Sequence, residues 1–465
     1  MTPAVDRLLA ALATKVASDA ILKGAECEAF AGDESDVAPC VPEAVVRASS
    51  AADVRATLRL ANEYGVPVTP RAAGTGKSGG CVPIEGGIVL SMTRMRAIEE
   101  IDVADGVAVV EAGAVLAHVH EAVEREGMFY APDPNSASEC TIGGNVAENA
   151  AGPRTLKYGP TRDWVIGLEI VTGDGTPLTL GTRTHKGVTG YDLVSLLVGS
   201  EGTLGVVTRA TLRLAPKPEA IATLAALLPS SAAIAGSVSA LAAHGIAPRC
   251  VELFDERTLA FCRASSPFPI APNVRAMLLV ELDGDAHDME GSIERAGGVL
   301  VDNGAEVLVA KHGGDREKLW AVRRDLSRSL RRSAKHKISE DVVVPRSKLG
   351  ALIDESARIG ERHQLGVASY GHAGDGNLHV NFLWNEPDAL PRVHLAMRDL
   401  FASVIAMRGT LSGEHGIGAS KSAFLASEQS AELIALQERV RSVFDPRGIL
   451  NPGKIFGRTT GHRAC

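Results

Sequence analysis

The sequence predicts an α+β protein with two main domains, on three observations. Strand-like and helix-like segments alternate along most of the chain, and a proline-marked break falls at Pro216 and Pro218. Glycine-rich loops recur three times in the first half, about 60 residues apart. At 465 residues and 48.6 kDa there is room for two or three hydrophobic cores. Aromatics make up only 4% while glycine reaches 48, so packing rests on small aliphatic side chains. A net charge of -8 argues against a general nucleic-acid binder. Seven cysteines (27, 40, 81, 140, 250, 262, 465) are odd in number and never spaced Cys-x-x-Cys. They read as reduced thiols and exclude an iron–sulfur or Cys-rich zinc site. The apolar run Leu8–Ala13 is too short for a signal peptide, and Pro229, Ser230 and Ser231 interrupt the Ala-rich region 219–243. A cytoplasmic protein is expected.

Residues 1–37 read as a helix and a polar connector. Strand patterns follow at 44–47 and 67–70 around a helix at 52–64, then at 87–90 and 107–111, with a helix at 116–125. Region 141–152 reads as a glycine-rich loop. A strand over 165–172 turns through Gly173-Asp174-Gly175, a hairpin signal, and strand 205–214 runs into the boundary prolines. Beyond it, strands at 220–228, 250–254, 277–282 and 305–309 alternate with helices, which predicts an α/β layer with its sheet covered on one side. A basic helix over about 315–333 precedes strand 338–344, helix 347–363 and a hairpin across 366–384. Segment 444–454 carries too many prolines and glycines for a helix.

Gly74-Thr75-Gly76-Lys77-Ser78-Gly79 satisfies the G-x-G-x-x-G spacing but lacks what makes that spacing work. The dinucleotide fingerprint needs a helix directly after the glycines, whereas Gly80, Pro83, Gly86 and Gly87 intervene and the next element is a strand. The small residues still expose backbone N–H groups as an anion nest. Pro132–Ser136 with Thr141–Asn145, and Gly199–Gly205, are equally rich in close-approach residues. Together they suggest a long ligand lying across one domain.

The second half carries Tyr370-Gly371-His372-Ala373-Gly374-Asp375-Gly376-Asn377-Leu378-His379-Val380-Asn381, answered by Gly413-Glu414-His415-Gly416. Side chains alternate along a strand, so His379 and Asn381 share one face and Leu378, Val380 and Phe382 the other. The apolar face is expected to pack inward and the polar face to look into a site. His372 can meet His379 across the hairpin, and Glu414 can close a two-histidine, one-carboxylate set for a divalent metal. His415 is a spare imidazole for proton transfer. Between Arg316 and Lys337 lie nine Lys/Arg against two acids, on a helix with an apolar stripe of Leu319, Val322, Leu326 and Leu330. Most of those charges read as a solvated face.

Arg71–Gly80, Pro132–Ser136, Thr141–Asn149, Lys157-Tyr158-Gly159, Gly199–Thr208 and Asn451-Pro452-Gly453-Lys454 resemble the FAD-binding domain of the vanillyl-alcohol oxidase/p-cresol methylhydroxylase superfamily. The second half resembles its FAD-linked oxidase C-terminal domain. Together they are similar to D-lactate dehydrogenases, the glycolate oxidase flavoprotein subunit and D-2-hydroxyglutarate dehydrogenase, over roughly residues 38–457. The resemblance implies a two-part FAD-binding domain at 38–217, an α/β substrate (cap) and metal domain at 218–457 whose end returns to the flavin, and a tail at 458–465.

It further implies the pyrophosphate on Arg71, Gly74, Thr75, Gly76, Lys77, Ser78 and Gly79, with Pro132, Asp133, Ser136 and Gly152 in the same site. The isoalloxazine would lie near Thr141, Ile142, Gly144, Asn145 and Asn451, and the adenosine near Glu201, Gly205 and Val207. Lys77 and Ser78 stand where covalent members carry histidine, so the FAD is expected to be non-covalent.

In the resembling enzymes the matching histidines and glutamate hold zinc or a similar ion, His415 matches the general base, and Asn381 a substrate contact. Arg323, three residues after Trp320, matches a carboxylate-binding arginine. Ser327 stands where animal D-2-hydroxyglutarate dehydrogenases have threonine. Their substrate lysine aligns with Ser339, with Lys337 two residues away on the same face, which tilts the substrate toward D-lactate or glycolate. The implied reaction passes hydride to flavin and electrons to an external quinone, cytochrome or electron-transfer flavoprotein. An iron–sulfur partner subunit, peripheral membrane attachment through a partner, and a homodimer are compatible with it. A flavin subunit limited to electron transfer is the rival from another class; a flavin-free metal hydrolase is a third.

Overall fold

A computed structural model describes residues 1–263, 266–310 and 313–457, which form two compact units. One comprises 1–151, 159–217 and 414–457; the other comprises 152–158 and 218–413. The chain leaves the first unit between the boundary prolines, at Lys217, and leaves the second at Gly413. The segment after Gly413 therefore groups with the N-terminal half rather than with 218–413. The tail 458–465, and with it Cys465, lies outside the described residues.

The first unit holds two main sheets, of four and five strands, besides a two-stranded pair of Met128–Phe129 with Ala215–Pro216. In the smaller, strands Ala44–Arg47 and Val68–Arg71 flank Ile88–Ser91, all three parallel. Parallel neighbours need a crossover, and helix Ala51–Tyr64 supplies one of them. Ser50 caps its first turn by accepting from the Asp53 amide, and Gly65 ends it at φ 67°. The C-terminal segment adds to this sheet: Leu450 bridges Val68, and the Asn451 amide donates to the Val68 carbonyl. The larger sheet is antiparallel, in the order Ile98–Asp102, Val107–Glu111, Val206–Arg213, Val165–Val171, Pro177–Gly181.

Region 141–152 departs from expectation, because Ile142–Glu148 is a helix. Its glycines serve close packing rather than chain freedom. A Cβ at Gly143 would stand 2.7 Å from the Ala112 Cβ, and one at Gly144 2.9 Å from the Ala72 Cβ. No regular element intervenes between Arg71 and Ile88, so the G-x-G-x-x-G spacing there is followed by a strand.

The second unit is built on one seven-stranded antiparallel sheet, ordered 306–309, 220–228, 276–284, 250–254, 366–372, 377–384, 336–343. Helices cover both of its faces, not one. On one face Leu319, Leu326 and Leu330 of helix Gly313–Ser333, with Leu259 of helix Glu256–Cys262, pack on Leu227, Leu279, Ala368, Tyr370 and Leu383. On the other, helix Met289–Asp302 lies over Leu224 and helix Leu349–Arg362 over Val367. Burial on both sides accounts for the nearly unbroken apolar runs in 220–228 and 276–282, where a one-sided sheet would alternate.

The polar face of the 377–384 strand, expected to look into a site, is buried. Asn377, His379 and Asn381 are 5%, 6% and 0% exposed. Cys27, Cys81, Cys140, Cys250 and Cys262 are free thiols; Cys40 is not, so the expectation of seven reduced cysteines fails there. Among the described residues no helix is long and apolar enough to cross a membrane.

The hairpin joining His372 to Asn377 turns on Gly376, at φ 86°, where a Cβ would sit 2.0 Å from the Val344 carbonyl oxygen. Gly376→Ala is expected to lower the unfolding free energy by about 3 kcal/mol, measured by denaturant titration; a change under about 0.5 kcal/mol would contradict this packing.

Candidate active site

The chemistry-bearing side chains of the second unit lie in cross-strand register. His372 pairs with Glu252 on one neighbouring strand, and His379 with Asp341 on the other. Directly opposed residues project from the same face, so the fold sets a carboxylate beside each imidazole. His372 Nδ1 is 2.5 Å from Glu252 Oε1, and His379 Nδ1 is 3.9 Å from Asp341 Oδ1. The two imidazoles meet edge to face with centroids 5.4 Å apart, and Tyr370 lies 5.3 Å from His379.

Glu252 and Asp341 were not anticipated from sequence. The signal was present: Glu252 is the lone acid of the apolar strand Cys250–Phe254, and Asp341 follows Glu340 directly before the apolar end of His336–Val343. Both are fully buried. Burial pushes the Glu252 carboxyl upward, but Arg323 and His372 outweigh it and hold the group below the usual range. Asp341 accepts from Asn377 Nδ2 at 2.6 Å through one oxygen, and from Ser412 Oγ at 3.0 Å and the Gly413 amide at 2.8 Å through the other. It thereby anchors the residue to which Glu414 is peptide-bonded. His372 and His379 offer two imidazole donors on one face of the sheet, and two such nitrogens with a carboxylate fit zinc or a similar divalent ion. The adjoining His415 has its Nε2 3.7 Å from Glu414 Oε1.

Arg323 is buried on the helix stripe that the leucines occupy. Its Nε donates to Glu252 Oε2 at 2.5 Å and its guanidinium stacks 4.9 Å from the Tyr370 centroid. Lys337 is buried on the strand, its Nζ 2.8 Å from Ser327 Oγ. Asn381 donates its amide to the Ala368 and His379 carbonyls, while its Oδ1 has no partner within the protein.

In the first unit, the expected loops converge. Asn451 Nδ2 donates to the carbonyls of Gly80 and Glu201, joining three of them through one side chain. Ser78 Oγ, Thr141 Oγ1, Asn145 Nδ2 and Asn451 Oδ1 are buried and lack partners within the protein. Orphaned polar atoms from three separated segments, beside glycines that permit close approach, fit a polar ligand of FAD's length.

The other residues expected at the cofactor also make contacts within the protein. Arg71 donates to the Gly32 carbonyl at 2.7 Å and packs against Gly74, Lys77 faces outward to Glu34 at 3.0 Å, and Gly76 accepts from the Glu34 amide. Thr75 is half-buried, and Gly79 abuts Val37. The Pro132 carbonyl is 3.0 Å from His120 Nε2, Asp133 follows it half-buried, and Ser136 closes the turn to Cys140. Ile142 is core, Gly205 packs on Ile170, and Val207 pairs with Ile170 in the sheet. Gly152 groups with the second unit.

Glu201 spends both carboxylate oxygens on the Ile417 and Gly418 amides, at 2.8 and 2.7 Å, so its side chain clamps the loop after His415. Glu148 was also missed. Burial, then the neighbouring Glu201 and Asp33, raise its carboxyl well above the usual range.

Residues 42–181 match the family described as FAD binding domain, and residues 217–455 the family described as FAD linked oxidases, C-terminal domain. Fold, orphaned polar loops and these matches define an FAD-dependent oxidoreductase. The chain belongs to the FAD-linked oxidases. It is 38% identical to glycolate oxidase subunit GlcD of Bacillus subtilis over 91% of both chains. It is 35% identical to a D-lactate dehydrogenase of Anaerostipes hadrus over 95% of both. A D-2-hydroxyglutarate dehydrogenase of Xanthomonas citri pv. viticola is 34% identical over 89% of both. The solved structure of p-cresol methylhydroxylase with substrate bound shares the fold, with a TM-score of 0.82 at 15% identity, covering 100% of this chain and 99% of that one.

Asp341→Ala would leave three donors without their acceptor. It is expected to cost about 2–4 kcal/mol in denaturant unfolding. A loss below about 0.5 kcal/mol would mean that Asp341 does not anchor Gly413.

Proposed function

We propose that the protein oxidises a D-2-hydroxy acid to the 2-oxo acid, D-lactate foremost, and passes the electrons to an external acceptor. The observation that carries this reading is the pair His372 and His379, each set beside a buried carboxylate, in a chain that belongs to the FAD-linked oxidases. It is supported by relatives named for D-lactate, glycolate and D-2-hydroxyglutarate.

FAD, when bound, supplies a two-electron acceptor for the substrate's Cα hydride, and a divalent ion supplies a Lewis acid toward the hydroxyl. His372, His379 and Glu414 would hold that ion. Arg323 presents a planar guanidinium to the substrate carboxylate, and stacking on Tyr370 restrains it. Asn381 Oδ1 is an acceptor aimed from the same sheet face. His415 takes the hydroxyl proton at an imidazole nitrogen as the alcohol becomes a ketone. Loss of one hydride and one proton balances the conversion of hydroxy acid to oxo acid. Ser78, Thr141, Asn145 and Asn451 would hold the FAD non-covalently.

The reoxidant is a separate quinone, cytochrome or electron-transfer flavoprotein, and the naming of the Bacillus relative as a subunit favours a partner chain. A dicarboxylate such as D-2-hydroxyglutarate is the second reading. Lys337, buried and bonded to Ser327 one helical turn beyond Arg323, favours it as a second cation.

Anaerobic bleaching of the bound flavin, followed with D- and L-lactate, glycolate, D-malate and D-2-hydroxyglutarate, tests the reading. D-lactate is expected to outpace L-lactate at least about tenfold, and metal removal by chelator to slow bleaching about a hundredfold, restored by zinc. Equal rates for the enantiomers, or full activity in metal-free protein, contradict it. Faster bleaching by D-2-hydroxyglutarate than by D-lactate would select the second reading.

A further inference from the structure

Glu252 belongs to none of the roles described so far, yet it touches two of them. It sits on strand Cys250–Phe254, directly opposite His372 in the sheet, with a fully buried side chain. Its Oε1 lies 2.5 Å from His372 Nδ1 and its Oε2 accepts from Arg323 Nε, also at 2.5 Å. We propose that Glu252 is a positioning residue that couples the metal site to the carboxylate-binding arginine. The proposal rests on the reading in which His372 holds a divalent ion and Arg323 a substrate carboxylate.

The geometry argues for a joint role. An ionised carboxylate beside Nδ1 accepts that nitrogen's proton in a hydrogen bond, so the ring is fixed in the tautomer that offers Nε2 to an ion. Strand register sets where Glu252 and His372 stand, whereas Arg323 arrives from a different element, helix Gly313–Ser333. One carboxylate therefore fixes the distance between a sheet ligand and a helix cation. A second path closes the loop, because the Arg323 guanidinium lies on the Tyr370 ring and that ring lies against His379. Both imidazoles are thus tied to the arginine. Neutralising Arg323 alone would need no contact to His372, and holding His372 alone would need none to Arg323. Two-handed engagement of a single buried group ties the ion's ligand and the substrate's anchor into one unit, so that disturbing either is felt at the other.

The test uses full-length, FAD-loaded Glu252→Gln, which keeps volume but removes the charge, with Glu252→Asp as a second variant that keeps charge but lacks the reach to span both partners. Zinc dissociation constants come from chelator competition, KM and kcat for D-lactate from saturating zinc, and the His372 tautomer from 15N-imidazole spectra. In Glu252→Gln the zinc dissociation constant should rise about 10- to 100-fold and KM at least about fivefold even at saturating zinc, with a smaller effect on kcat. Glu252→Asp should fall between.

Zinc binding and KM both within about twofold of wild type in both variants overturns the proposal, and so does a change in only one of them. If wild-type protein binds no zinc and leaves D-lactate untouched, the functional reading has failed and the tautomer decides. A fixed Nδ1–H ring that scrambles in Glu252→Gln supports Glu252 as the positioner of His372. An unchanged ring overturns it.

Discussion

Glu252 and Asp341 have carboxylates removed from water in the interior of a sheet packed on both faces. A charge so placed costs several kcal/mol unless it is paired and fully hydrogen-bonded. The second unit meets that requirement by strand register. Glu252 is satisfied by His372 and Arg323, and Asp341 by Asn377, Ser412 and Gly413 near His379. Two imidazoles consequently stand 5.4 Å apart in fixed orientations, and the chain is pinned one residue before Glu414. Pre-organisation of that kind lets a divalent ion be held without ordering its ligands afresh.

The first unit solves a different problem. A long, flat, polar cofactor needs backbone brought close on several sides, and bulky side chains would prevent it. Gly74, Gly79, Gly143 and Gly144 stand where a Cβ would collide with a neighbour, and Asn451 ties the first, third and last contributing segments together. Glu201, expected at the adenosine, fastens the loop that follows His415 through both carboxylate oxygens.

Much of this was legible in the chain. Strands 44–47, 107–111, 220–228 and 250–254 and helix 116–125 fall at their expected bounds, because their apolar periodicity and flanking turns were unambiguous. The approach of His372 to His379 followed from two histidines on the two arms of one glycine-rich hairpin. What escaped has physical causes. Helix 142–148 was hidden by Gly143 and Gly144, whose helix-weakening composition is overridden by close packing on Ala72 and Ala112. Cover on both sheet faces was hidden because helices on either side look alike in a one-dimensional pattern. Glu252 and Asp341 were hidden because cross-strand register is a long-range property. An acid in an apolar strand announces that it needs a partner without saying which.

The central claim is that His372 and His379, each backed by a carboxylate, hold a divalent ion with Glu414. X-ray absorption at the zinc edge of zinc-loaded, full-length protein tests it most directly, in wild type and in His372→Ala. The account predicts one ion per chain with two imidazole nitrogens and carboxylate oxygen at about 2.0–2.2 Å, no sulfur, and the loss of one imidazole in the variant. Sulfur ligation, a shell without imidazole, or a spectrum unchanged by His372→Ala would contradict it.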